Sequence, residues 1–311
     1  MKNQIMIIGA AILDVLVQPA DRQVFECGSG SADSITMHTG GDALNEATVL
    51  SRLGKQVQLL TVLGDDKAGR MIRDHCTECG VGLDYASVEK DIETGINVVL
   101  VDREGERHFL TNPHGTLRAL ELKHIPSAFP EEVKILSFAS IFVFPHLTGK
   151  EMARIFASAK AQGILVCADM TKMKTKESAD GLAEALSYVD YLIPNYEEAV
   201  LVTGKKDLDG IADTFLECGV KNVVIKCGKQ GCFIKNSGLR CQIPALPEIR
   251  AIDTTGAGDC FAAGFIYALS EGKDIKECGR YGNICGALAV QCHGATAGVT
   301  GLEQIENIIA K

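Results

Sequence analysis

An α/β fold with a mostly parallel central sheet is what this sequence predicts, and three of its features carry that expectation. Gln4-Ile5-Met6-Ile7-Ile8-Gly9 is a continuous apolar run ending in glycine, as a central strand covered on both faces requires. From about Leu117 to Lys311, similar short runs alternate with helix-period segments across short connections. Between these regions lie stretches of another kind, short and alternating in polarity, which read as a small separate sheet.

Asp14 follows the first strand by a few residues. Ligands in open α/β sheets gather beyond the carboxyl ends of strands, so Asp14 is a candidate hydroxyl acceptor, with a turn role as the alternative. Val15 to Gln18 and Ser34 to Thr39 flank a polar stretch, Cys27 to Ser31, and form a β excursion rather than a βαβ unit. Gly40-Gly41-Asp42-Ala43-Leu44-Asn45 then opens a helix with apolar positions at Leu44, Val49 and Leu53. The two glycines permit close approach of a ligand, and the Asn45 amide can both donate to and accept from a hydroxyl. A glycine turn capping the helix would explain Gly40 and Gly41 without requiring Asn45.

Val57 to Leu63 is the next buried strand, and Gly64-Asp65-Asp66 starts a helix running to about Cys79. Thr94 to Asp102 and Glu106 to Thr111 are strands joined by a hairpin turn at residues 103–106. The two insertions, about 15–39 and 95–112, together predict a four-stranded lid that excludes water from a pocket, within one domain spanning residues 1–311. Further strands are expected at Val133 to Phe138, Ile164 to Ala168, Tyr188 to Ile193 and Val223 to Lys226. Helices are expected at Gly149–Gln162, Ala179–Ser187 and Asp207–Cys218, with no linker and no internal repeat.

The stretch Ile252 to Phe265 carries the chemistry. Ile249 to Ile252 end an apolar run that reads as a strand, and from Ala257 onward Phe261, Phe265 and Leu269 mark the buried face of a helix. A glycine-rich turn into a helix leaves the first N–H groups without helical partners and lets an anion come close. Asp259 falls in the first helical turn beside that cradle. N–H groups for a transferring phosphoryl and a carboxylate for the proton of an attacking hydroxyl suit phosphoryl transfer. Locally, a helix start capped by Thr255 or Asp253, with Asp259 favouring the helix dipole, is an equally open reading. Ile193-Pro194-Asn195-Tyr196-Glu197-Glu198 ends a strand with Asn and Glu three apart, able to hold the water shell of Mg²⁺ or to cap a helix. Val224 to Gly231 is a strand followed by a turn flanked by Gly228 and Gly231.

Asp253-Thr254-Thr255-Gly256-Ala257-Gly258-Asp259 followed by an apolar helix resembles the C-terminal signature of the ribokinase-like (PfkB) family of carbohydrate kinases. With Asp14, Gly40-Gly41, Asn45, Asn195 and Glu198, and Gly228/Gly231 in the family's order and spacing, the resemblance spans nearly the whole chain. It implies a ribokinase-like three-layer α/β/α sandwich and ATP-dependent phosphorylation of a primary hydroxyl, usually on a sugar. It implies Asp259 as general base and Gly256, Ala257 and Gly258 as the anion hole. Asp14, Gly40, Gly41 and Asn45 would hold the acceptor. Asn195 and Glu198 match the family's Asn-x-x-Glu motif, with Mg²⁺ held through water. Lys226, Gly228 and Gly231 belong to the nucleotide-edge loop, and Asn283, in a helix from Arg280 to Gln291, falls beside the adenine. The resemblance also implies a monovalent cation such as K⁺, with Asp253 and Thr255 as one half of its site and the carbonyls of Ala289 and Gly294 as the other. Gly298 stands where some members offer a Ser side chain.

Composition narrows the alternatives. A net charge of −9 over 311 residues leaves no basic surplus for broad nucleic-acid binding, and the cluster from Lys172 to Lys176 reads as a solvated loop. Twelve cysteines spread through apolar segments read as a reduced, cytoplasmic inventory rather than a disulfide framework. Cys76-Thr77-Glu78-Cys79 lacks a partner pair of zinc spacing, and Cys260 reads as a buried neighbour of Asp259. The apolar N-terminal stretch is interrupted by Asp14 and reads as a strand, and no membrane-spanning run occurs. Neither a P-loop nor a dinucleotide fingerprint is present.

The acceptor is less specified. Asp42 stands where ribokinases proper carry Lys, and Phe142-Val143-Phe144-Pro145-His146 offers aromatic surface. Phe109, Asn112 and His114 on the lid arm could contact a ring, which favours a neutral sugar first and a nucleoside second. Arg103 and Arg107 read as solvated turn residues, or as reaching a substrate carboxylate. A catalytically idle sugar sensor is the alternative of another class, against which Asp259 and the Asn195/Glu198 pair argue. An exposed edge on the lid sheet predicts a homodimer.

Overall fold

The computed structural model describes residues 4–172 and 178–310, so most of the Lys172–Lys176 cluster lies outside the described residues. In chain order the elements are β1 (Gln4–Ile8), β2 (Ile12–Gln18), α1 (Val24–Cys27), β3 (Ser34–Gly40), α2 (Asp42–Arg52), β4 (Gln56–Leu60), β5 (Val62–Gly64) and α3 (Lys67–Cys79). Next come β6 (Val81–Gly82), β7 (Ser87–Glu89), β8 (Ile96–Val101), β9 (Arg107–Thr111), β10 (Val133–Ile141), α4 (Gly149–Ala161), β11 (Leu165–Met170), α5 (Ala179–Leu186) and β12 (Tyr191–Leu192). The remainder is α6 (Tyr196–Thr203), α7 (Leu208–Glu217), β13 (Asn222–Lys226), β14 (Cys232–Asn236), β15 (Arg240–Ile243), α8 (Ala257–Ser270), α9 (Ile275–Ala289) and α10 (Leu302–Ile309).

The main sheet runs β15-β14-β13-β12-β11-β10-β1-β4-β6. All its pairings from β6 to β13 are parallel, and only the β13–β14 and β14–β15 pairings at one edge are antiparallel, so β14 alone is reversed. The two-residue period of β1 divides its apolar residues between layers. Met6 and Ile8 pack with α4, α5 and α7 on one face, while Ile5 and Ile7 pack with α2, α3, α8 and α9 on the other. Phe261 and Phe265 of α8 extend the second face over Val224 and Ile234, which makes α8 a core helix as well as the bearer of the signature. The expected three-layer α/β/α sandwich is present.

A four-stranded sheet, β3-β2-β8-β9, stands apart from the main one. β2 pairs antiparallel with β3 and parallel with β8, and β8 and β9 form the hairpin. Because Asp14 pairs with Asn97, Val99 with Phe109 and Val101 with Arg107, these residues share one face of the small sheet. The opposite face carries Val15, Val17, Ile35, Met37 and Leu110. Ile35 and Met37 are 66% and 58% exposed.

Several local expectations need correction. Residues 249–252 form no strand, because the Ile252 and Asp253 N–H groups both turn onto the Val290 carbonyl beyond α9, at 2.7 and 3.3 Å. The Val57–Leu63 run breaks at Thr61: β4 stays in the main sheet, while β5 pairs with β7 in a two-stranded sheet. Of Tyr188 to Ile193 only Tyr191 and Leu192 are strand, because Asp190 before them spends its carboxylate on Lys160, Lys221 and the Val166 N–H. Helix α9 begins at Ile275, ahead of Arg280, since Asp274 caps it with bonds from the Lys276 and Glu277 N–H groups.

Candidate active site

Carboxyl ends of parallel strands and helix N-termini converge at one rim of the main sheet, as the topology of an open α/β sheet requires. Residues beyond β1 lead to Asp14, β11 ends near Asp169, β12 leads to Asn195, β13 ends at Lys226, and α2 and α8 begin there. The turn into α8 depends on Gly256. It sits at φ +70°, and a Cβ there would lie 2.3 Å from the Ala295 carbonyl oxygen. No side chain caps α8, and although the Ala257 N–H donates to the Thr254 carbonyl at 3.3 Å, the turn presents the Gly256 and Gly258 N–H groups to an anion. A Cβ on Gly258 would be 3.3 Å from Lys226 Nζ, which places an ammonium beside the same turn.

Asp259, in that first turn, accepts a 2.7 Å hydrogen bond on Oδ2 from Asn45 Nδ2 of α2, across 214 residues of sequence. The paired glycines before α2 serve packing. Gly41 is at φ +96° with its Cβ position 2.6 Å from the Ala10 carbonyl oxygen, and the Cβ position of Gly40 is 2.3 Å from Asp14 Oδ2. They let Asp14 lie against the chain that leads to Asn45. Asp14 also accepts from Asn97 Nδ2 at 3.2 Å, and Phe109 stands 59% exposed on the same sheet face.

Around these groups lies a buried carboxylate cluster with one ammonium. Lys226 pairs with Asp169, and both side chains are almost wholly buried. Burial alone would lower the Lys226 pKa, but Asp169 and Glu198 outweigh it and the net shift is upward. Asp169 is pushed up to about 6 by burial, and Glu198 up to about 7 by burial and then by the charge of Asp169. Burial, followed by the nearby Asp42, pushes Asp259 well above the ordinary carboxylate range, against the pull of Asn45 and Lys226. Glu46 of α2 is also driven far up by burial. Its Oε2 accepts from Ser137 at 2.8 Å and its Oε1 has no partner. Asp42 accepts from Ser140 beyond the strand's middle in β10.

The capping alternative for Asn195 and Glu198 is realised. Asn195 Oδ1 accepts from the Glu198 N–H at 2.8 Å, and Glu198 Oε2 accepts from the Asn195 N–H at 3.0 Å, closing a capping box on α6. Glu198 Oε1 and Asn195 Nδ2 are left over for a ligand. Asn283 is buried and donates to the Ile243 and Pro244 carbonyls at 3.1 and 3.0 Å, which fixes the end of β15. Gly231 is needed for the same packing, since its Cβ position lies 2.0 Å from the Ile243 carbonyl oxygen. Gly228, at φ +54°, has open space around it.

Arg107 corrects the expectation of a solvated turn. From β9 its guanidinium reaches Asp253 Oδ1 at 2.8 Å and the Thr255 hydroxyl. Asp253 caps no helix. It accepts from the Thr255 N–H at 2.9 Å, the Thr255 hydroxyl at 2.7 Å and the Gly294 N–H at 3.1 Å. Burial would raise its pKa, but these bonds and the Arg107 charge hold it down to about 2. A side chain at position 298 is excluded, because its Cβ would lie 2.0 Å from the Leu288 carbonyl oxygen.

Asp169, Glu46 and Asn97 escaped sequence reasoning. The rule that singled out Asp14 would have found Asp169, which follows the buried run Ile164 to Ala168. For Glu46 the available signal was a lone acid one turn after Asp42 in a helix otherwise apolar on that side.

Residues 2–300 match the pfkB family of carbohydrate kinases. The chain is 27% identical to the ribokinase of Bacillus subtilis over 311 residues, covering 100% of both chains. It is 28% identical to the ribokinase of Arabidopsis thaliana over 301 residues, covering 94% of this chain and 77% of that one. The solved structure of Arabidopsis thaliana ribokinase complexed with ribose and ATP superposes with a TM-score of 0.85 at 25% identity, covering 100% of each chain.

Proposed function

The chain belongs to the pfkB family of carbohydrate kinases and is a phosphotransferase acting on a sugar hydroxyl, and from that premise we propose that it moves the terminal phosphoryl of ATP to the primary hydroxyl of a small neutral sugar. The observation that carries the reading is the 2.7 Å bond between Asn45 and Asp259 at an uncapped helix N-terminus. It brings the Asn45 amide, the Asp259 carboxylate and an uncapped helix N-terminus together, which supports the reading.

In this reading Asp14, Gly40, Gly41 and Asn45 hold the acceptor, and Phe109 covers its ring. Asp259 Oδ takes the hydroxyl proton as the oxygen attacks. The N–H groups of Gly256, Ala257 and Gly258, with Lys226 beside them, receive the charge of the transferring phosphoryl. Gly228, Gly231 and Asn283 shape the loop on which the adenine lies. Mg²⁺ would supply charge neutralisation between the phosphates. Among the described residues no group of three or more acidic, His or Cys side chains is arranged to hold a metal directly, so Glu198 Oε1 would hold it by accepting from its bound water, and Asn195 Nδ2, a donor, would face a phosphate oxygen. The β2–β3 and β8–β9 segments form the lid over the acceptor within a single kinase domain. The apolar outer face at Ile35 and Met37 is covered by a second copy, giving a homodimer.

No helix among the described residues is long and apolar enough to cross a membrane. Incubation with ATP, Mg²⁺ and a panel of pentoses, hexoses and nucleosides tests the proposal. ADP formation with a neutral sugar is expected. Turnover with nucleosides alone would shift the acceptor class, and no ADP with any of them would overturn the reading.

A further inference from the structure

The monovalent cation expected at Asp253, Thr255, Ala289 and Gly294 finds three of those four groups, Asp253, Thr255 and Ala289, already engaged within the chain. Asp253 Oδ1 already accepts from Arg107, the Thr255 N–H and the Thr255 hydroxyl, and Oδ2 accepts from the Gly294 N–H. The Ala289 carbonyl accepts from the Cys292 N–H at 3.3 Å, and the Val290 carbonyl from two N–H groups. On the same loop the Thr296 and Val299 carbonyls accept from Arg52 at 2.6 and 3.2 Å, and the Gly298 carbonyl accepts from Gln304 at 3.0 Å. No side-chain oxygen can be added at position 298, for the steric reason above. The donors a bare cation would have to displace are covalently part of the chain, and two of them are guanidinium groups.

Asp253 nevertheless needs a counter-charge. Its side chain is only 7% exposed and it stands three residues before the Gly256 turn. An uncompensated carboxylate there would repel an anion held on the turn, and more strongly than in open water because the side chain is screened from solvent. We propose that Arg107 is a tethered substitute for the cation: its guanidinium neutralises Asp253 and steadies Thr255, and so keeps the Gly256–Gly258 turn receptive to the phosphoryl group without any monovalent ion. Arg107 lies on the small sheet and Asp253 on the segment leading into α8. The counter-charge is therefore in place only while the small sheet is seated over the site, so seating of the sheet and readiness of the anion turn are one event. Arg107 acts through Asp253 and Thr255, and is a positioning residue.

The inference rests on the reading of Gly256–Gly258 as the phosphoryl cradle, and its test is built to fail separately. Turnover and the Kd for Mg²⁺–ATP are measured in chloride salts of K⁺, Na⁺ and N-methylglucamine at equal ionic strength. For the unaltered protein both are expected to agree within about twofold across the three salts. Activation or tightening by K⁺ of about fivefold or more overturns the inference, even if kinase activity is confirmed. Arg107→Ala is expected to lower kcat about tenfold or more with a smaller change in sugar KM, and to weaken Mg²⁺–ATP binding. Arg107→Lys, and Arg107→Ala with added guanidinium chloride, are expected to recover several-fold of that loss, which a merely structural role would not permit. An Arg107→Ala variant with unchanged kcat and Kd, or a loss that neither recovers, overturns it. If Arg107→Ala does not fold, the salt profile of the unaltered protein and the Arg107→Lys variant decide. ATP binding gives a readout even if no acceptor in the panel is phosphorylated.

Discussion

Asp259→Asn separates catalysis from stability in a way the structure makes quantitative. The two side chains have the same shape, and the new amide can present its oxygen to Asn45 Nδ2, so the link between α2 and α8 survives. What disappears is the proton acceptor. A general base contributes typically 10²–10⁴-fold, so kcat should fall by at least about 100-fold, a rise of about 2.7 kcal/mol in the barrier. The anion turn and Lys226 are untouched, so Mg²⁺–ATP should bind within about threefold of the unaltered protein. Stability should move the other way. Burial and Asp42 raise the Asp259 pKa in the folded chain, so between the ordinary carboxylate pKa and the folded value the native state binds more protons than the unfolded one. Stability therefore falls as pH rises through that window, by about 1.4 kcal/mol for each unit of upward shift. Asn carries no such slope. The variant should match the unaltered protein near pH 4 and exceed it near pH 8, by about 2 °C in Tm per kcal/mol relieved. Coupled ADP assays, calorimetric ATP titration and thermal melts at both pH values check this. A kcat within about fivefold of the unaltered protein, or a lower Tm at pH 8, would refute the assignment of a buried, charge-strained base.

Other perturbations test other parts of the site. Glu46→Gln removes a second buried carboxyl of raised pKa whose Oε1 lacks a partner, and should flatten the decline of stability between pH 5 and 8. An unchanged slope in melts across that range would contradict the proposed burden of charge. Gly256→Ala meets both a left-handed backbone and the Ala295 carbonyl, and should cost about 1–3 kcal/mol in urea unfolding while lowering kcat about tenfold or more. Normal kcat in that variant would argue that the turn holds no phosphoryl. Met37→Asp on the outer face of the small sheet should convert a dimer to monomer in light scattering, and a monomeric mass for the unaltered protein would remove the proposed interface.

What could be read from the residues alone is what local backbone chemistry dictates. Alternation in β2, β3, β8 and β9 and the continuous apolar runs of β1, β10 and β11 announced two sheets of different character. Each pattern depends only on which faces of a strand are covered. The Gly256–Gly258 turn and Asp259 were legible for the same reason: a glycine at positive φ and an acid in a first helical turn are short-range features. Tertiary structure decided the rest. Arg107 has the same local sequence whether it meets solvent or Asp253, and only docking of the small sheet brings together residues 146 apart. The upward pKa shifts of Asp259, Glu46 and Asp169 are likewise invisible in sequence, because they depend on burial and on which charges are folded against them. Ile249 to Ile252 had the composition of a strand, but at its end the Ile252 N–H is taken by the Val290 carbonyl, a partner far away in sequence. Period and turn chemistry are properties of neighbours in the chain, whereas charge state and partner choice belong to neighbours in space.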